Sequence, residues 1–141
     1  MPLVGGGGSP NVSGGSNPAG TGSGLNYAGN LVYAYSGPQN GANSYVTYLR
    51  FTTGSELIYG ELQFNGAPDP DDPTTGGQSL CRVSMDSQVV AYLKASTNSP
   101  DDSANVNSKL VIPPFTSVLI DIRTTANSSF QPTVTFTGAI Q

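Results

Sequence analysis

Residues 117–124 read SVLIDIRT, and the alternation within them decides the fold. Val118, Ile120 and Ile122 fall on one side of an extended chain, and Leu119, Asp121 and Arg123 on the other, because successive side chains of a β-strand point to opposite faces. The same period of two recurs in both directions. Upstream, Ser44–Thr52 groups Tyr45, Thr47, Leu49 and Phe51 against Val46, Tyr48 and Arg50. Glu56–Phe64 collects Ile58, Gly60, Leu62 and Phe64, with Glu61 and Gln63 opposite. Gln88–Ala95 sets Val89, Ala91 and Leu93 against Val90, Tyr92 and Lys94. Downstream, Thr133–Ile140 places Val134, Phe136 and Ile140 on one face and three threonines on the other. Less regular alternation marks Asn26–Tyr35, Leu80–Met85 and Lys109–Ile112. About eight strands are predicted from Leu25 onward, and no helix.

The intervening segments are made of turn formers. GPQNGAN (37–43), NGAPDPDDPTTGGQ (65–78), STNSPDDSANVNS (96–108) and TANSSFQP (125–132) concentrate Gly, Pro, Asn, Asp and Ser, each of which bends the chain for its own reason. Pro113 and Pro114 remove two backbone donors just before the clearest strand, so they end or corner a sheet. The segments at 65–78 and 96–108 exceed the length of a tight hairpin, which favours Greek-key crossings over a meander. Short antiparallel strands bury their apolar face in a barrel or between two sheets. The expectation is an all-β chain, an antiparallel β-sandwich of jelly-roll type spanning residues 25–141. An immunoglobulin-like sandwich is the alternative, weakened by the absence of tryptophan and of a cysteine pair.

Residues 1–24, MPLVGGGGSPNVSGGSNPAGTGSG, are different in kind. They carry too little apolar side chain to bury a core of their own, and Gly, Ser and Pro dominate them. The expectation is an N-terminal arm that becomes ordered on a partner, offering Leu3, Val4 and Val12 as its apolar contacts. A disordered tail is the plainer reading. The stretch lacks the basic and apolar regions of a secretory signal, and no run approaches the length of a membrane span.

Composition narrows the function. The chain has 141 residues, five basic against nine acidic, a formal charge of -4 and no histidine. Nucleic acid and anionic membranes are therefore not expected partners, since both are held by Lys and Arg. Charged residues make up 10% of the chain, against about 25% in ordinary domains. Hydroxyls and amides solvate the surface instead, and such a surface opposes docking less than a charged one.

Candidate chemistry is sparse. Asp69, Asp71 and Asp72, with Asp101 and Asp102, lie in the two long loops. They read as solvated turns, with weak calcium binding at one end of a sandwich as the alternative. Cys81 is the sole cysteine and reads as a small core hydrophobe. Without histidine no imidazole activates a thiolate or serine, and Glu56 and Glu61 fall on opposite sides of one strand. No enzyme and no cofactor is expected. Seven tyrosines lie in the predicted strands. Most read as core or rim, while Tyr48 and Tyr59, beside Arg50 and Glu61, are the candidates for an outer interface.

The arm (1–24), the two-proline corner in LVIPPFTSVLIDIRTT (110–125) and the closing strand TVTFTGAI (133–140) together resemble the decoration, or cement, proteins of tailed-bacteriophage capsids. That resemblance implies a non-enzymatic virion structural protein on the capsid surface, a homotrimer of β-sandwiches bound to the major capsid protein. It carries no catalytic residues over. A carbohydrate- or receptor-binding module of a phage fibre or head fibre is the alternative.

Overall fold

The computed structural model describes residues 25–37, 39–66, 77–97, 105–124 and 131–141. Among them run nine strands and no helix: β1 (Asn26–Ala28), β2 (Leu31–Tyr35), β3 (Val46–Thr52), β4 (Ile58–Asn65), β5 (Gly77–Met85), β6 (Gln88–Thr97), β7 (Asn105–Ile112), β8 (Ser117–Thr124) and β9 (Thr133–Ile140). They form a five-stranded sheet in the order β1-β2-β9-β4-β7 and a four-stranded sheet in the order β3-β8-β5-β6. All pairings are antiparallel. The all-β sandwich expected from the alternation is the structure found.

The pairing is nested. β5 pairs with β6, β4 with β7, β3 with β8 and β2 with β9, and successive rungs fall in opposite sheets. The chain is a long hairpin folded over itself. Both segments too long for tight turns join one sheet to the other. The second is shorter than expected, because β6 extends to Thr97 and β7 begins at Asn105. Pro113 and Pro114 lie between β7 and β8, where the chain changes sheet. Thr53 braces this corner: its hydroxyl donates to the Pro113 carbonyl at 2.8 Å and accepts from the Thr116 amide at 2.9 Å.

The inner faces supply the core. Val32, Ile58, Leu62, Phe64, Ile112, Val134 and Phe136 come from the five-stranded sheet and are fully buried. Leu49, Phe51, Val83, Val118, Ile120 and Ile122 meet them from the other. Phe51 and Phe136 pack with ring centroids 5.7 Å apart. Such side chains each stabilise the fold by about 1.5–3 kcal/mol when removed from water. The faces of β4, β8 and β9 are those expected.

Three local features depart from simple alternation. Asn26–Tyr35 is two strands, with Gly29 and Asn30 turning between Ala28 and Leu31; Gly29 sits at φ 63°. In β3 the register shifts between Thr47 and Leu49, so Tyr48 is an extra, bulged residue. Tyr45 and Thr47 consequently do not share a face with Leu49 and Phe51. Tyr48 itself corrects the expectation of an outer tyrosine: it is fully buried, and its hydroxyl donates to the Gln39 carbonyl at 2.9 Å. A second bulge pairs Val83 with Ala91 but Ser84 with Val89. Val90 is the inserted residue, and Val89 turns outward, away from Ala91 and Leu93.

The β5–β6 turn holds Asp86 and Ser87 at φ 48° and 70°, the left-handed pair that a two-residue hairpin turn requires. Asp86 also ties the turn to β8, exchanging bonds with the Ser117 backbone at 2.8 and 2.9 Å. A serine at positive φ is strained where a glycine is not. Relief of about 1–2 kcal/mol of left-handed strain outweighs the entropy a glycine adds to the unfolded chain. Ser87→Gly is therefore expected to raise unfolding free energy by about 0.5–1 kcal/mol, read as a higher urea midpoint at unchanged slope.

Candidate functional site

The two outer faces differ in chemistry. On the five-stranded sheet, register aligns Leu31, Ala139, Tyr59 and Val111 in one row across four strands. Leu31 is 61% exposed, Tyr59 48% and Val111 52%. Tyr59 is thus on the outside, as expected. The small side chains of β9, Thr137 and Ala139, lie between taller ones on β2 and β4, leaving a shallow depression of about 370 Å³ bordered by Leu31, Tyr59, Glu61 and Lys109. Tyr33 and Tyr35 are half-buried along the same side of β2, with ring centroids 5.3 Å apart.

The outer face of the four-stranded sheet gathers cations. Arg50 aligns with Leu119 and Ser84, Arg82 with Asp121 and Tyr92, and Lys94 with Leu80 and Arg123. Four of the five basic residues of the chain therefore share one face. The acid among them, Asp121, is buried and spoken for. Its carboxylate accepts from Arg82 Nη2 at 2.8 Å and from the Thr47 hydroxyl at 3.1 Å. Tyr45, freed from the inner face by the β3 bulge, lies under the Arg82 guanidinium at 3.9 Å from its ring centroid, a stacking geometry that favours a cation. The hydrogen bond to Asp121 also holds the Arg82 proton more tightly than usual. Arg82 is fixed on two sides, while Arg50, Lys94 and Arg123 are exposed. A groove of about 450 Å³ runs between Arg50 and Arg82, over Leu119, with Ser84 and Ser117 in its walls.

Cys81 is buried behind this face, and burial together with the Asp121 carboxylate pushes its thiol up to about 12. Such a thiol is not a nucleophile at neutral pH. Among the described residues no three of His, Cys, Asp and Glu gather as metal ligands. Leu3, Val4 and Val12 lie outside the described residues, as do Asp69, Asp71, Asp72, Asp101 and Asp102. The strand ends that flank the two acidic loops are neighbours: Asn65 pairs with Asn105, and Gly77 with Thr97. At the other end Phe115 is 73% exposed at φ 55°.

No family model matches the chain, and no curated protein matches it.

The cluster of Arg82, Asp121 and Tyr45 was not among the residues the sequence singled out. Alternation places Asp121 and Arg123 outside, yet the partner of Asp121 is 39 positions away, and only the β5–β8 register brings it near.

Proposed function

We propose that the chain is a non-enzymatic virion structural protein of the capsid-decoration kind, a β-sandwich body that seats on the major capsid protein as a homotrimer. The observation that carries this reading is the apolar row Leu31–Ala139–Tyr59–Val111, which crosses four strands at one end of the five-stranded sheet with Leu31, Tyr59 and Val111 exposed. Exposed apolar surface of this kind, with few charges to repel a partner, suits protein docking. The nested strand pairing supports reading the body as a jelly roll, an architecture used in capsid and lectin domains. That support is one of fold, and function rests on the surface.

In this reading residues 1–24 add a grip that the body lacks, by laying extended backbone along a shell protein. Ordering such a segment costs about 1–2 kcal/mol per residue, so many contacts must form together. Deleting residues 1–24 is expected to leave a folded body with an unchanged number of copies per oligomer that co-sediments poorly with shells. Undiminished co-sedimentation overturns the role of the arm. Copy number in purified particles separates a decoration protein, present in hundreds of copies, from a scarce fibre module; a gel band intensity reads it.

A further inference from the structure

We propose that the outer face of the four-stranded sheet binds carboxylate-bearing sugars, in the groove between Arg50 and Arg82. This goes beyond the decoration reading and holds for a body mounted on any support.

Charge is the first argument. The protein is acidic overall, at -4, yet this face carries Arg50, Arg82, Lys94 and Arg123. Asp121 is the acid within it, and that carboxylate is already bonded to Arg82 and Thr47. Asp86 lies at the edge, engaged with the Ser117 backbone. Arg50 is exposed and has no partner among the described residues. An anion entering the groove meets two guanidiniums flanking β8, whose strands of origin stand about 10 Å apart at the usual interstrand spacing.

Preorganisation is the second. Asp121 and Tyr45 hold Arg82 in one position, so its ordering is complete before a ligand arrives, which improves affinity. The Arg82 Nε–H is buried without a partner, so the donors left for a carboxylate are those of the two Nη groups that Asp121 does not take.

The lining selects a sugar over a peptide. The groove's apolar lining is Leu119 and Val89, the side chain that the β6 bulge turned outward, on either side of Ser84 in one row. Ser84, Ser87 and Ser117 supply hydroxyls. Apolar lining matches the C–H face of a pyranose, and the serine hydroxyls match its hydroxyls. Tyr92, 62% exposed and in register with Arg82, extends the site as a stacking surface for a neighbouring ring. An acidic peptide gains most from main-chain bonds at a sheet edge. This groove crosses the middle of the sheet, where the backbone of β8 is already paired on both sides.

The test is calorimetric titration of the full chain with tri-galacturonic acid, with maltotriose as the neutral probe and penta-glutamate as the acidic peptide. Tri-galacturonic acid is expected to bind saturably, at least about tenfold more tightly than the other two. Arg50→Gln is expected to weaken it by about tenfold or more, the value of a charge-assisted hydrogen bond, at an unchanged thermal midpoint. Arg50 is the informative position because its exposed side chain supports nothing else, whereas an Arg82 variant also strands buried Asp121. Tyr92→Ala is expected to weaken binding as well. Absence of saturable binding at millimolar tri-galacturonic acid overturns the proposal, as does full affinity in Arg50→Gln. Equal binding of maltotriose removes the carboxylate from the recognition, and tighter binding of penta-glutamate assigns the face to an acidic protein instead.

Discussion

Taken from pH 9 towards pH 12, the body is expected to lose stability steadily. Cys81 is the chief cause. In the unfolded chain its thiol ionises near 9.0; in the fold, burial and then the Asp121 carboxylate hold the proton to about 12. Between those values the unfolded state binds fewer protons than the native state, so unfolding becomes more favourable as pH rises. The contribution is fully present below pH 9 and gone once the folded thiol ionises. At about 1.4 kcal/mol per pH unit, the gap amounts to about 4 kcal/mol, a large part of the 5–15 kcal/mol that holds a domain folded. Tyr48 acts with the same sign, burial raising its hydroxyl from 10.0 to about 12. Tyr27, raised by partial burial and by Glu56, adds to it. Urea midpoints measured at intervals through this window read the slope. Cys81→Ala is expected to flatten it most between pH 9 and 10, before the tyrosines contribute. A midpoint that does not move across the window rules out a retained buried thiol.

Phe136→Ala is expected to cost about 3–5 kcal/mol, the usual range for emptying a buried aromatic site, because Phe136 is fully buried at the centre of β9 and packs on Phe51. Its ring also dictates a neighbour. A Cβ built on Gly60 stands 2.6 Å from Phe136 Cζ and 2.6 Å from the Thr137 carbonyl oxygen, so β4 has no room for a side chain there. Gly60→Ala alone is expected to cost about 1–3 kcal/mol by overpacking. The two losses should not add. Removing the ring frees the space that the new methyl needs, while the Thr137 contact remains, so the double variant should be less destabilised than the sum. Chemical denaturation of the four proteins in this cycle reads the coupling. Strict additivity refutes the close approach.

What the alternation made legible is the architecture that depends on it. Val118, Ile120 and Ile122, and likewise Ile58, Leu62 and Phe64, face inward because an unbroken period of two leaves them no other side. The Gly29–Asn30 turn carried a readable two-residue hairpin signature, although Asn26–Tyr35 as a whole suggests one strand. The bulges at Tyr48 and Val90 were not legible. Each is defined by pairing with a strand remote in sequence or across a hairpin, and neither leaves a local mark. They decide the surface nevertheless. One draws Tyr48 inside and leaves Tyr45 to stack on Arg82, and the other turns Val89 outward into the same row as Ser84 and Leu119. Tyr59 could be placed outside from Glu61 and Gln63 alone, because β4 has no such insertion.

The nested pairing also orders the events of folding. β5 and β6 are joined by two residues and can close early, whereas the outermost rung bonds Ser36 to Val134 across 98 positions. Closing a loop of that size is entropically expensive, and sheets dominated by remote contacts assemble in milliseconds to seconds. Until β9 slots between β2 and β4, both of those strands present open hydrogen-bonding edges to the solution. A newly made chain therefore passes through an interval in which crowding with its own copies is hazardous, and slower synthesis or dilution should improve its yield.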